Sequence, residues 1–431
     1  MVFKGLINLF SLRLFVVISA LFWLGLQVLY VYNNKYDALV SDPGTYVLLA
    51  WSCVTDGTLY PNYSHLYDSY IFNPGWVNFI ILWIKMFGTT SNLAYIQVIF
   101  NAITLFLIYR ICRKLFEKEV VAIFALYSYM LLPAVFTISS HLFSEPYYIV
   151  LSLSSLYFCL LGKRFSYLSG FFLALAMWTR PIALGWLVAC LFWYLKSKDW
   201  KSATRHVAMY IFTCMIIAIS THQNYPNYLY KSTTGGVNLI MGANDDASGG
   251  YCAAVFQEGK IGHIPDEFKS KLTVNEKDSI WTHRAVHWIK THPIQYSILT
   301  CKKMYYLFNS SPSFLYNYRT APKTKKNELI YSQSFRSPAN LCFSPYSELF
   351  MSFLSSVYFK IIMISVVFGL LIYSWKNMNL FFIYIPILLC TLLTVLTVGE
   401  PRYNIVMLPF LSIVFSYCLI QIAQIIKTYF K

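Results

Sequence analysis

The sequence predicts an all-α polytopic membrane protein of about ten transmembrane helices, given that a helix needs roughly 20 residues to cross the hydrocarbon core. Three observations lead there. The chain is 57% hydrophobic and 12% charged, about half the charge of an average soluble domain. Apolar stretches of near-spanning length recur from end to end. Basic residues gather in alternate short connections, as they do in cytoplasmic loops.

The apolar runs fall at residues 14–32, 93–109, 120–138, 147–161, 165–179, 181–195, 207–221, 361–375, 380–398 and 405–426. The first lacks a small-residue cleavage site and reads as a permanent anchor. Arg180-Pro181 separates two short runs, which predicts helices that cross only part of the bilayer. Lys4 and Arg13 precede the first run. Arg110, Arg113, Lys114 and Lys118 follow the second, Lys163 and Arg164 the fourth, and Lys196, Lys198, Lys201 and Arg205 the sixth. Lys376, Lys427 and Lys431 continue the alternation, so both termini are expected in the cytoplasm. The opposite short turns carry only Arg180 and Arg402 as basic residues.

Two external segments remain. Residues 33–92 are rich in Tyr, Asp, Pro and Gly and have amphipathic character, which predicts helices lying at the interface. Residues 222–352 alternate turn-rich pieces with one clear helix over 280–306, enough for a small mixed subdomain resting on the membrane. The expected organisation is therefore a transmembrane module over 1–221, an external subdomain over 222–352 and C-terminal helices over 353–431. There is no internal repeat, whereas many secondary transporters are built from repeats.

The formal charge of +16 is largely accounted for by the cytoplasmic loops and does not indicate nucleic acid. The ten cysteines show no metal-ligand spacing. Cys252, Cys301 and Cys342 fall in the second external segment, where either one disulfide or free thiols would fit. Aromatic residues make up 19% of the chain, which suits interfacial belts and a sugar-binding surface.

Once the spans are drawn, Asp42, Glu145, Arg180, Glu400 and Arg402 land on one face, away from the cytoplasm. Ionisable groups at the mouth of a membrane bundle are costly and mark function. Asp42, in Ser41-Asp42-Pro43-Gly44-Thr45-Tyr46, can act as a general base on a hydroxyl; an Asx turn or helix N-cap is the competing reading. Asp37, Asp56 and Asp68 share its loop. His141 and Glu145 are four apart, a spacing that puts two residues on one helical face. They can orient a hydroxyl or an arginine, although Glu145 also suits a helix N-terminus. Arg180 and Arg402 each adjoin a proline. A guanidinium at headgroup level binds phosphate bidentately, while lone arginines often only snorkel to headgroups. Lys85 and Lys360 are further candidates for the same phosphate. The Gly/Asn-rich stretch 235–244 lacks the Gly-Lys-Ser/Thr end of a P-loop and reads as a loop able to contact a sugar.

In these pieces the chain resembles the GT-C superfamily of membrane glycosyltransferases that use polyprenyl-phosphate-linked sugars, and within it the branch of the protein O-mannosyltransferases and the lipid A aminoarabinose transferase. The resemblance rests on Ser41 to Tyr46 with Ala50, Asn73-Pro74-Gly75, Phe143-Ser144-Glu145-Pro146 and Trp178-Thr179-Arg180-Pro181. It continues through 235–244, the helix over 285–306 with His292-Pro293 and Lys302-Lys303, and Glu400-Pro401-Arg402-Tyr403 with Pro409. These pieces occur in the expected order over nearly the whole length. The resemblance implies Asp42 as catalytic base; many relatives carry a second acid directly after it, where this chain has Pro43. It implies basic residues, here Arg180 and Arg402, for the lipid phosphate. On our reading Glu145 and His141 help position the acceptor or an arginine, and Glu400 is a further substrate-binding candidate.

The expected function is inverting transfer of a sugar from dolichyl or undecaprenyl phosphate to a hydroxyl of a glycan, lipid or protein, on the periplasmic or luminal side of a bacterial inner membrane or the endoplasmic reticulum. The scheme requires no cofactor. Because the family includes metal-dependent members, Asp42 and Glu145 could also hold a divalent metal. A transporter or flippase of lipid-linked sugars is one alternative, and would need charges deep in the bundle. A polysaccharide polymerase or ligase is another, and would need no essential acid in the first loop.

Overall fold

The computed structural model describes residues 2–34, 42–60, 74–221, 234–269, 271–311, 350, 353–375 and 377–429. Among them the chain is helical, with turns and no strand. Helix α1 (Val2–Asn34) is followed by α2 (Asp42–Thr55) and α3 (Pro74–Phe87) in the first connecting segment. Then come α4 (Tyr95–Phe116), α5 (Glu119–Met130), the short α6 (Pro133–Thr137), α7 (Glu145–Leu161), α8 (Phe165–Thr179), α9 (Leu184–Ser197) and α10 (Trp200–Thr221). The second large segment holds α11 (Gly235–Gly242), α12 (Asp266–Lys269), α13 (Val274–Thr291) and α14 (Pro293–Asn309). The chain closes with α15 (Leu354–Ser374, with a π-turn at each end), α16 (Met378–Leu396) and α17 (Leu408–Tyr429), the last entered through a 3₁₀ turn at Pro401–Met407.

Among the described residues six helices are long and apolar enough to cross a membrane, and α5 with the Pro133–Ser140 segment makes a seventh if that pair, bent by 64°, is one span. The chain is a polytopic membrane protein. The ten runs expected from sequence fall largely on helices, but 120–138 crosses the break at Leu131-Leu132, and α7, α8 and the Pro181–Ser197 segment fall short of spanning length, so six or seven of the described helices meet the length expected of about ten. Prolines set several of the breaks. Pro133 and Pro181 each stand at a new helical start, where the missing N–H costs nothing. The main core runs through α4, α5, α7, α9, α16 and α17 and contains Trp186, Tyr148, Phe382 and Phe410.

The mixed subdomain expected over 222–352 is, among the described residues, built of helices and turns. Its own apolar cluster includes Val237, Ile240, Trp281 and Trp288. Helix α13 opens with a reciprocal capping box: Thr273 Oγ1 accepts from the Glu276 N–H and Glu276 accepts from the Thr273 N–H, satisfying two orphan groups of the first turn. Cys252 and Cys301 are both free thiols; Cys342 lies outside the described residues.

Helix α14 packs along the segment that joins α16 to α17. Tyr296 Oη donates to the Leu396 carbonyl at 2.6 Å. Asn404 Nδ2 donates to the Leu307 and Ser310 carbonyls at 2.8 and 2.9 Å. Between these ties the Gly399 N–H donates to the Gly249 carbonyl at 2.9 Å. A Cβ on Gly399 would sit 2.2 Å from the Lys303 carbonyl oxygen, so only glycine lets the two backbones meet here. Overpacking of this kind costs about 1–3 kcal/mol. Gly399→Ala is expected to lower the thermal midpoint in detergent, whereas Gly25→Ala, whose Cβ would meet nothing within 4 Å, leaves it unchanged or slightly raised.

Candidate functional site

The ends of four chain segments meet at one cluster of charge. Asp42 is the first residue of α2 and Glu145 the first of α7. Arg180 is the extended residue between α8 and the 3₁₀ turn at Pro181. Arg402 lies in the first turn of the 3₁₀ segment before α17. Arg402 is bidentate across two acids: Nε donates to Glu145 Oε1 at 2.7 Å and Nη1 to Asp42 Oδ2 at 2.6 Å. Arg180 Nη2 reaches the same Glu145 Oε1 at 2.9 Å, and its Nε donates to Ser144 Oγ at 3.0 Å. The Glu145 side chain is fully buried, and that of Asp42 is 34% exposed.

The charges balance in pairs, two carboxylates against two guanidiniums. A buried charge of either sign without such partners would cost several kcal/mol. Glu145 and Arg402 fall within or at the mouth of apolar segments, where counter-charge substitutes for the missing water. The guanidinium of Arg402 also lies 4.0 Å from the centroid of the Phe143 ring, a cation–π contact.

That ring is held by a loop with little freedom. Residues 141–143 connect the end of the 3₁₀ turn Ile138–Ser140 to α7 in extended conformation at His141. Their carbonyls are buried and need donors. Gln97 Nε2 donates to the carbonyls of His141 and Phe143 at 3.1 and 2.9 Å, and Trp76 Nε1 to that of Leu142 at 2.8 Å. So α3 and α4 pin the loop from below. The spacing that put His141 and Glu145 on one helical face does not hold, because the helix breaks between them. His141 instead pairs Nδ1 with Ser140 Oγ at 2.9 Å and stacks on Phe143 at 5.7 Å. Its action on the cluster therefore passes through the ring beneath Arg402.

Glu400 precedes Pro401 and takes the Tyr251 N–H on Oε1 at 2.7 Å. It thereby ties the turn after Gly249-Gly250 to the arginine segment. Burial pushes its carboxyl above the ordinary range, against the Tyr251 N–H and the Arg402 charge. Lys85, in the last turn of α3, and Lys360, near the start of α15, are both exposed. Gly75, at the other end of α3, touches Thr179, so Lys85 stands about 15 Å along the helix from that contact. Among the other acids of the first segment, Asp56 follows the end of α2, about 20 Å along that helix from Asp42; Asp37 and Asp68 lie outside the described residues. The stretch 235–244, expected as a turn-rich loop, is instead helical over Gly235–Gly242 (α11), and its Gly236 N–H is taken by Asp278 at 2.6 Å.

Sequence reasoning missed Ser144, Phe143 and Tyr251 as neighbours of the cluster. Ser144 and Phe143 were visible in the Phe-Ser-Glu-Pro motif; Tyr251 had no local signal. Tyr46, buried one turn beyond Asp42, lies within the field of Asp42, Arg402, Arg180 and Glu145 and could have been found at the i, i+4 spacing. Among the described residues no group of three or more His, Cys, Asp or Glu is placed to hold a metal. In this arrangement Glu145 Oε1 and Asp42 Oδ2 are each engaged by a guanidinium.

No protein-family model and no curated protein matches the chain. Solved structures do. The oligosaccharyltransferase of Archaeoglobus fulgidus, in complex with zinc and sulfate, aligns with a TM-score of 0.50 and 14% identity, over 95% of this chain and 49% of that one. The archaeal oligosaccharyltransferase AglB from the same organism, with an inhibitory peptide and a dolichol-phosphate, gives 0.51 and 15%, over 96% and 50%. ArnT from Cupriavidus metallidurans, bound to undecaprenyl phosphate, gives 0.40 and 13%, over 92% and 77%. The chain therefore shares its fold with the archaeal enzyme and spans about half the length of that chain.

Two outcomes test the cluster. Glu145→Gln leaves two guanidiniums facing a single, partly exposed acid, and breaking a buried pair costs about 3–5 kcal/mol. It is expected to lower the thermal midpoint well beyond the drop for Asp42→Asn. For Glu400 the folded carboxyl titrates above its unfolded value. The folded state then holds the proton longer, and stability falls as pH rises through that window. Glu400→Gln removes this loss, so its midpoint is expected to gain on the wild type as pH rises above the ordinary carboxylate range.

Proposed function

We propose that the chain is a glycosyltransferase of the GT-C type, moving a sugar from a polyprenyl-phosphate carrier to an acceptor hydroxyl. The observation that carries this reading is the Asp42–Arg402–Glu145–Arg180 cluster, two carboxylates and two guanidiniums brought together at helix ends. Support comes from the shared fold with an enzyme whose structure holds a dolichol-phosphate. The cluster faces the non-cytoplasmic side in this reading, with 1–221 as transmembrane module, 222–352 as external subdomain and 353–431 as closing helices.

Arg402 and Arg180 take the carrier phosphate bidentately. The phosphate competes with Asp42 for Arg402 Nη1. As that contact is given up, Asp42 Oδ2 loses its guanidinium partner and is free to accept a hydrogen bond from the acceptor hydroxyl. Asp42 then removes the proton of the acceptor hydroxyl. The acceptor oxygen bonds to the anomeric carbon as the bond from that carbon to the phosphate oxygen breaks. The electron pair leaves with the polyprenyl phosphate, whose charge the two arginines offset. The configuration at the anomeric carbon inverts. Glu145 stays ionised throughout and keeps both arginines aimed, a positioning role. No step runs through a metal.

A transporter or flippase would need charge deep in the bundle, whereas here the cluster gathers at helix ends. The test is transfer in membranes from a panel of radiolabelled polyprenyl-phosphate sugars, with a cell glycan and lipid extract as acceptor. Asp42→Asn, at normal expression, is expected to lose at least 100-fold in rate, the scale of a missing general base, and Arg402→Gln to lose comparably. Equal rates for the wild type and Asp42→Asn would remove Asp42 from the chemistry. No transfer by the wild type from any donor would favour transport.

A further inference from the structure

Helices α13 and α14 are consecutive, joined at His292-Pro293, yet they present opposite chemistry outward. The exposed face of α13 carries Glu276, Ser279, His283, His287 and Lys290, as expected of a helix beside water. Helix α14 buries Leu299, Lys303 and Leu307, spaced four apart, against the rest of the protein. On the face directly opposite stand Ile294, Ile298, Cys301 and Tyr305, all exposed, at 76% for Ile294 and 62% for Tyr305. Met304 flanks this stripe on one side and Lys302 on the other, both exposed. A helix that packs on protein with one face and is apolar on the reverse face is not built to meet water on that reverse face.

The surface beside it indicates what the stripe meets. Helix α14 packs against α16, one of the six helices apolar enough to span, and Tyr296 is bonded to the Leu396 carbonyl at its end. The outward residues of that last part of α16, Leu388, Leu392 and Leu396, are exposed too. At the other end of α14, Leu307 belongs to the main core cluster shared with the spans, and Phe308 packs on it. The apolar stripe thus belongs to a helix packed on α16, whose own outward residues are apolar as well.

We propose that α14 lies in the hydrocarbon margin of the bilayer, its Ile294–Ile298–Cys301–Tyr305 stripe against acyl chains, while α13 stands in water, the boundary crossing at His292-Pro293. Lys302 reaches from the side of the stripe to the headgroups, a geometry open to a long cationic side chain. Because α14 is bonded to Leu396 at one end and to Asn404 at the other, the bilayer surface passes beside Arg402. The cluster then sits at headgroup level. The inference stands independently of the reaction assigned above.

The test uses Cys301 itself, the exposed member of the free cysteines described. The intact protein, in nanodiscs of phosphatidylcholine and phosphatidylglycerol, is spin-labelled, with Cys301→Ser as the blank for every other thiol. His287→Cys in that Cys301→Ser background supplies the α13 position. Relaxation by oxygen, which concentrates in lipid, is compared with relaxation by a water-soluble nickel chelate. The expected result is oxygen dominating at position 301 and nickel dominating at 287. Nickel dominating at both positions would place the stripe in water and overturn the proposal. A label at 301 that neither reagent reaches, or a thiol that fails to label, would show the stripe covered by protein and would overturn it equally.

Discussion

The constraint on which the rest of the site depends is a single carboxylate oxygen. Oε1 of Glu145 receives both Arg402 and Arg180, and the side chain has no access to water. Two guanidiniums would repel each other if brought together alone. One fully buried acid between them makes their approach favourable, and its own desolvation is offset only because both are present. Each member therefore requires the others, and the four segments that supply them must arrive at one point. The proline breaks at Pro146, Pro181 and Pro401 serve that requirement. Each ends or begins a helix within a residue or two of a charged member, so that the side chain projects from a helix end rather than into lipid.

Around this pairing the structure uses fixed hydrogen bonds where a soluble enzyme would use solvent. Residues 141–143 are extended, buried and flanked by apolar helices, so each of their carbonyls needs a dedicated donor. Gln97 and Trp76 supply these from α4 and α3. The Phe143 ring is held as a result, and with it one face of the Arg402 guanidinium. A site organised this way has little to rearrange when a charged ligand arrives, which is the condition under which electrostatic stabilisation is strongest.

Much of this was legible in the sequence, and the reason is physical. Apolar runs are hard to hide, and those read from sequence fall largely on helices, although 120–138 is broken at Leu131-Leu132 and several are shorter than a span. Asp42, Glu145, Arg180 and Arg402 stood out because ionisable residues next to helix breaks are rare in such a chain. What the sequence did not show was their partnership. Asp42 and Arg402 are 360 residues apart, and nothing local says which acid meets which arginine. The pairing of His141 with Glu145 was misread because the i, i+4 rule assumes a continuous helix. The break at residues 141–144 is stabilised by donors from distant helices, invisible to local pattern. Tyr251 reaches Glu400 through its backbone N–H, a group every residue but proline owns, so its identity carried no signal.

The 3₁₀ turn at Pro401–Met407 has a mechanical consequence. A 3₁₀ helix rises about 2.0 Å per residue, an α-helix about 1.5 Å. The six residues from Arg402 to Met407, wound the tighter way, therefore hold Arg402 about 3.0 Å further out along the axis of α17 than the same residues would as α-helix. The turn is a short length of screw thread cut at a coarser pitch. Rewinding it would draw the guanidinium inward without moving the span below, a travel longer than the hydrogen bonds that join Arg402 to its two acids.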